Sequence, residues 1–234
     1  MSALHSWTHS RGIPDKVVLR IVDETYQRCV GPNVKNLRRY EAFSSEVYGE
    51  LMPSFTSDII AATGLNSSSL LMDLGSGVGN VLLQASLQTG CRSYGIELLE
   101  GPASVARQQW KQFQKRCRMW GVRTGEVELE QGDMLKSKRV TELMGAADVV
   151  LVNNKVFQQS RECPIRCRLR MSCLRGILWS IFLVNEALRA KFLDLKEGAI
   201  VVSLKPFVSP NARVTERNVC AAFWHVAVLT HLTG

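Results

Sequence analysis

The stretch Leu70-Leu71-Met72-Asp73-Leu74-Gly75-Ser76-Gly77-Val78-Gly79-Asn80 decides the fold. An apolar run ends in a carboxylate, a glycine-rich turn follows, and a helix-like pattern runs from Val81 to Leu87. Strand, tight turn and helix in that order open a βαβ unit. Gly75 and Gly77 permit positive φ and let a ligand come close to the backbone, and the helix behind them aims its first amides at that ligand. On its own such a turn could equally be an unliganded strand-to-helix corner.

Strand and helix signals alternate onward from this unit. The strand candidates are 70–73, 93–97, 127–131, 148–153 and 199–204, and a helix over 103–119 carries Arg107, Lys111, Lys115, Arg116 and Arg118. This order predicts an α/β domain, a mainly parallel sheet with helices on both faces. Upstream, residues 1–45 read as helical and amphipathic, with Val17, Val18, Ile21, Val22 and Tyr26 at three- and four-residue spacing and a break at Gly31-Pro32-Asn33. Residues 51–62 read as a further helix.

Composition sets the outer bounds. The 234 residues, 46% of them apolar, suit one domain with a sizeable core. Lys and Arg outnumber Asp and Glu by 29 to 21, and the net charge of +8 favours a polyanionic partner. Seven cysteines without a secretory leader point to a reducing, intracellular setting. The longest apolar run, 177–184, is far shorter than the ~20 residues that span a bilayer, so no membrane partner is expected.

The acid before the glycine turn selects the ligand. Asp73 would repel a pyrophosphate, but it suits a molecule carrying ammonium and sulfonium groups, which is S-adenosylmethionine. A nicotinamide site wants G-x-G-x-x-G with no carboxylate before it, whereas this turn is G-x-G-x-G behind Asp73. Glu97 ends the next apolar strand about twenty residues on, where an acid can accept both hydroxyls of a ribose. Asp133, in Gly132-Asp133-Met134, could bond an adenine amino group while Met134 covers its ring, or could be an ordinary turn acid. Asn153-Asn154 ends the fourth strand, either at the site of chemistry or as a helix N-cap pair. No P-loop, zincin motif or nucleophile elbow is present, and Cys163, Cys167 and Cys173 are too irregularly spaced for a metal centre, so no metal is expected.

Several pieces together resemble the disruptor-of-telomeric-silencing family: Glu46-Val47-Tyr48-Gly49-Glu50-Leu51, the turn at 73–80, Val152-Asn153-Asn154 with Phe157, and Ser203-Leu204-Lys205-Pro206-Phe207. These are non-SET histone-lysine methyltransferases that modify a lysine in the globular core of histone H3. Tyr48-Gly49-Glu50-Leu51-Met52-Pro53 is similar to the fungal form, and the match covers 7–218 apart from 161–184. The resemblance implies a class I, Rossmann-like methyltransferase using S-adenosylmethionine. Its core, 64–234, would sit behind a helical N-terminal subdomain and cofactor-covering loop, 1–63. Tyr48, Gly49, Glu50 and Leu51 would form that loop. Leu71, Met72, Asp73, Leu74, Gly75, Ser76, Gly77, Val78, Gly79 and Asn80 would line the methionine end, Glu97 the ribose, and Asp133 with Met134 the adenine. Asn153, helped by Tyr48, would stand at the methyl-transfer point, with Asn154 and Phe157 along the lysine channel.

The resemblance further implies a monomer in the nucleus whose partner is the nucleosome, with roles in chromatin regulation, telomeric silencing and the DNA damage checkpoint. Basic clusters at Lys35/Arg38/Arg39, Lys111/Lys115/Arg116/Arg118 and Lys136/Lys138/Arg139 could meet nucleosomal DNA, or could be solvated helix faces. Residue chemistry alone also fits a class I enzyme acting on RNA or another protein, or an inactive truncated chromatin-binding product. Two departures stand out. Residues 161–184, rich in Arg and Cys and without periodicity, interrupt a helix that the family runs straight through, and read as an insertion carried by the gene model. Residues 220–234 replace the family's closing strand pair, so the sheet is expected to lack its last strands and expose an apolar edge.

Overall fold

The computed structural model describes residues 12–34, 37, 51–153, 184 and 187–203, and the backbone of 227–230. In chain order the elements are α1 (Asp15–Cys29), a 3-10 turn (Gly31–Asn33), α2 (Pro53–Thr63), β1 (Leu70–Leu74), α3 (Asn80–Thr89), β2 (Arg92–Glu97), α4 (Glu100–Met119), β3 (Val127–Gln131), α5 (Lys138–Met144), β4 (Val149–Val152), β5 (Ile200–Ser203) and β6 (Ala227–Thr230). Residues 187–192 add a helical segment before β5. The short α5 was not among the sequence-based expectations.

Local chemistry explains the helix limits. α1 buries Val18, Ile21, Val22, Thr25 and Cys29, one face of a 3.6-residue repeat, with Asp15 in its first turn and Arg28 in its last to complement the helix dipole. α2 begins at Pro53, whose fixed φ suits a first turn, and ends at Gly64, which takes the left-handed φ of 66°. α3 is closed in the same way by Gly90.

The sheet order is β3-β2-β1-β4-β5-β6, with β1 to β5 parallel and β6 antiparallel to β5. All five residues of the central β1 are buried, as a strand covered on both faces must be. Alternation along it divides the core. Leu71 joins Val18 and Ile21 of α1, Ile59 and Ile60 of α2, Leu82 of α3 and Phe113 of α4 on one face. Met72 and Leu74 join Tyr94, Val150, Val140 and Leu143 of α5, and Leu188 on the other. Each fully buried aliphatic side chain of this kind contributes about 1.5–3 kcal/mol relative to exposure.

The strand order reverses between β1 and β4, and a crevice opens outside the carboxyl ends of strands at such a switch point. The glycine turn and Asn153 both lie at that end. The expected bare sheet edge is corrected: the Ala227–Thr230 backbone pairs with β5 from Ile200↔Thr230 to Ser203↔Ala227, so a strand from the C-terminal segment covers it. None of the described helices is long and apolar enough to cross a membrane.

Candidate functional site

The turn after β1 is strapped to β2. The Gly75 and Ser76 amides both donate to the Ile96 carbonyl, at 2.9 and 3.0 Å, and the Gly79 amide donates to the Ser76 carbonyl at 2.8 Å. Gly75, Gly77 and Gly79 take φ of 95°, 54° and 83°, where a side chain strains the backbone. Gly95 of β2 is equally required, and no local pattern marks it. A Cβ there would lie 2.8 Å from the Ser76 Cβ and would collide with Leu82, so only glycine lets the turn rest on β2.

Two carboxylates meet beneath this turn. Glu97 accepts the Gly77 amide on Oε2 at 2.8 Å and the Leu99 amide on Oε1 at 2.9 Å. Asp73, beside Gly95 in register and only 4% exposed, lies under the same turn. Burial, and then the like charge of Glu97, push its carboxyl up to about 7, and no cation among the described residues draws it back.

Asp133 is the acid of a turn. Its Oδ1 accepts the Leu135 amide at 2.9 Å, its carbonyl accepts the Lys136 and Ser137 amides, and Lys136 pairs with Oδ2 at 3.2 Å. It is thus the acid of a turn leading into α5, where the Ser137 hydroxyl caps Val140. The Gly132 amide donates to the Glu97 carbonyl at 2.9 Å, which brings this turn to the Glu97 side of the crevice. Met134 packs partly into the core beside it. Asn153 follows β4, half-buried, on the other side of the β1 turn.

The side chains of Leu71, Met72 and Leu74 lie in the cores on the two faces of the sheet. Leu51 packs against the same core as Leu71. Tyr48, Gly49, Glu50, Asn154 and Phe157, the cysteines of 163–173, and Lys35, Arg38 and Arg39 lie outside the described residues. The α4 basic cluster needs a correction. Arg116 is buried, and its Nη1 donates to Glu24 of α1 at 2.6 Å, so it joins two helices and faces no solvent partner. Arg139 likewise holds Glu128 in a two-point fork. No cluster of three or more metal-binding side chains occurs among the described residues.

The family model described as "Histone methylation protein DOT1" matches residues 26–171. A protein named histone-lysine N-methyltransferase, H3 lysine-79 specific, from Chaetomium globosum is 42% identical over 224 residues, covering 96% of this chain and 39% of that protein. Its namesake from Mycosarcoma maydis is 44% identical over 207 residues, covering 88% of this chain and 23% of that protein. The chain therefore spans well under half the length of these curated relatives. Among solved structures, an RNA methyltransferase from Salinibacter ruber in complex with S-adenosyl-L-homocysteine superposes with a TM-score of 0.50 at 21% identity, over 78% of this chain and 93% of that one. That likeness bears on the fold, which is of the class I methyltransferase type. By its sequence and its fold, the chain belongs to the DOT1 histone methylation family.

Proposed function

We propose that this chain transfers methyl groups from S-adenosylmethionine to a lysine in the globular core of nucleosomal histone H3; its relatives are named as H3 lysine-79 specific histone-lysine N-methyltransferases. The observation that supports the reading best is the carboxylate pair under the glycine turn. Asp73 is buried with no cation among the described residues acting on it, and Glu97 adds a second negative charge beside it. A sulfonium and an ammonium are charges that answer Asp73, so the residues fit the donor.

Asp73 and the turn from Gly75 to Asn80 would hold the methionine end, Glu97 the ribose, and Asp133 with Met134 the adenine. Tyr48, Gly49, Glu50 and Leu51 would cover it. The donor supplies an activated methyl group. The chain's own task is to present a neutral amine in line with it. Free lysine has a pKa of about 10.4, and a narrow channel, to which Phe157 and Asn154 would contribute, would lower that value by desolvation, next to a like positive charge. The amine's proton leaves to solvent before transfer, so orienting groups suffice and no strong base is needed. Asn153 and Tyr48 fill that role, and in-line placement carries most of the rate.

The same reading makes the enzyme a nuclear monomer that docks on the nucleosome. The exposed Lys111, Lys115 and Arg118 along α4 would meet DNA phosphates. It also divides the chain into a helical N-terminal subdomain with its covering loop, 1–63, and a methyltransferase core, 64–234, in which 161–184 is carried by the gene model. Sequencing the mature transcript tests that last point, and finding 161–184 in it would refute it.

Labelled donor offered with nucleosomes, free histones and RNA in parallel tests the function. Label on the H3 core only in nucleosomes is expected. Label on RNA, or nucleosome binding with no label anywhere, would overturn the reading. Asn153→Ala is expected to lower transfer by about a hundredfold while donor affinity holds within a few-fold. Parent-like transfer by that variant would remove Asn153 from the site.

A further inference from the structure

The glycine turn is held from a second side, by α4. Gln109 lies in the middle of that helix at 1% exposure. Its Nε2 donates to the Val78 carbonyl at 3.1 Å and to the Asn80 Oδ1 at 2.7 Å. Val78 and Asn80 flank Gly79, the N-cap of α3, which sits at φ 83°. One amide group therefore spans the last glycine of the turn and fixes both the Val78 carbonyl and the first residue of the helix behind it.

The surroundings make this choice of residue informative. Val30, Leu37, Val78 and Val105 form an apolar cluster at this point, where an aliphatic side chain would pack without penalty. The Gln109 Oε1 is instead buried with no hydrogen-bond partner among the described residues. An unmet buried acceptor carries its full desolvation penalty, so packing alone does not account for a glutamine here. The Nε2 donor is what an aliphatic residue could not supply. With Oδ1 committed to Gln109, the Asn80 amide is also fixed in orientation, its Nδ2 pointing away from α4.

We infer that Gln109 is a positioning residue for the donor site: it clamps the end of the glycine turn and sets the orientation of the Asn80 amide. The inference rests on the donor-binding reading of the turn, and the experiment separates the two. Parent, Gln109→Met, Asn80→Ala and the double variant are titrated with S-adenosylhomocysteine by calorimetry, and their melting is followed in parallel. Binding by the parent is the control for the site itself, and its absence would sink the donor reading rather than the clamp.

Given parent binding, Gln109→Met is expected to weaken affinity about tenfold, the order of one or two lost hydrogen bonds, with a parent-like melting temperature. The loss should fall on the donor KM, with kcat at saturating donor and the nucleosome KM within about twofold. Gln109→Met should add little in the Asn80→Ala background, because both act through one contact. Full additivity, parent-like affinity, or a KM unchanged while melting drops would each overturn the clamp. Should Gln109→Met fail to fold, Gln109→Glu keeps the shape, replaces the Nε2 donor with an acceptor, and is expected to show at least the same loss; parent-like affinity there overturns the inference equally.

Discussion

At the carboxyl end of β1 the protein buries an acid that no cation among the described residues matches, whereas along the outer edge of β3 Glu128 and Glu130 each find a partner. Asp73 is held up to about 7 by burial and by Glu97. Glu128 on β3 is held below its ordinary value because the Arg139 guanidinium donates to both its oxygens, at 2.9 and 2.8 Å, while Arg92 stands 3.7 Å away. The neighbouring Glu130 accepts the Tyr94 hydroxyl at 2.6 Å. A charge answered within the protein describes structure. One that is buried and unanswered needs a partner from outside, and that is why the same residue type reads as function at one end of the sheet and as scaffold at its edge.

The sharpest way to break this contrast is Asp73→Asn, which keeps the shape and removes the charge. Donor affinity is expected to fall by about a hundredfold or more, while the donor-free protein melts higher. The pH dependence follows from the direction of the shift. The folded carboxyl titrates at about 7 against an ordinary 3.8, so the folded state holds the proton more tightly. Stability from this group is greatest below that ordinary value, declines as pH rises toward 7, and is gone above it. Donor affinity should climb over the same interval as the carboxylate forms. Melting and calorimetry at pH 5.5 and 7.5, below the range of about 7.7–8.0 where an α-amino group deprotonates, check both trends. Asp73→Asn should flatten them, and an affinity that falls over that interval would undo the comparison.

Local pattern carried the part of this that is local. β1, β4 and β5 are each a largely apolar run, β3 alternates Val127, Glu128, Leu129 and Glu130, and Asp73 and Glu97 stand near strand ends where the spacing alone marks them. What stayed hidden depends on contacts distant in sequence. Arg116 shares a stripe with Lys111 and Lys115 and reads as one more solvated cation, but its partner Glu24 is 92 residues away on another helix. Gln84 and Gln109 look like exposed polar positions of ordinary helices. Gln84 instead donates to the Pro53 carbonyl at 2.8 Å and fixes the start of α2, while Gln109 holds the turn. β6 has no alternation to announce it and exists as a strand only through β5. Gly95 is an unremarkable strand glycine until Ser76 and Leu82 are folded against it.

The same distinction between answered and unanswered charges applies to cations. Arg116 and Arg139 are matched, but Lys111, Lys115 and Arg118 are exposed on α4 and enter no ion pair among the described residues. If nucleosomal DNA answers them, the triple change Lys111→Gln, Lys115→Gln, Arg118→Gln should weaken nucleosome binding. It should also lower the slope of log K against log salt by about 2–3, close to one released counterion per contact. Donor affinity should stay at the parent value. An unchanged slope would return these residues to the solvated face of the helix.

The smallest expected effect sharpens the contrast from its matched side. Arg139→Gln removes the fork from Glu128, yet both partners are about a third exposed, so water takes over most of what the guanidinium supplied. Melting temperature should drop slightly, and less so in high salt. Because the Glu128 carboxyl is held below its ordinary value, its contribution to stability is present above that value and is lost as pH falls through the folded one. The difference in melting between parent and Arg139→Gln should therefore close on acidification, opposite in sense to the Asp73 trend. Donor affinity should remain within about twofold of the parent, because a charge answered at the sheet edge takes no part in answering Asp73. A loss of donor binding approaching that of Asp73→Asn would show that the two ends of the sheet are coupled, and the distinction between scaffold acid and ligand acid would no longer hold.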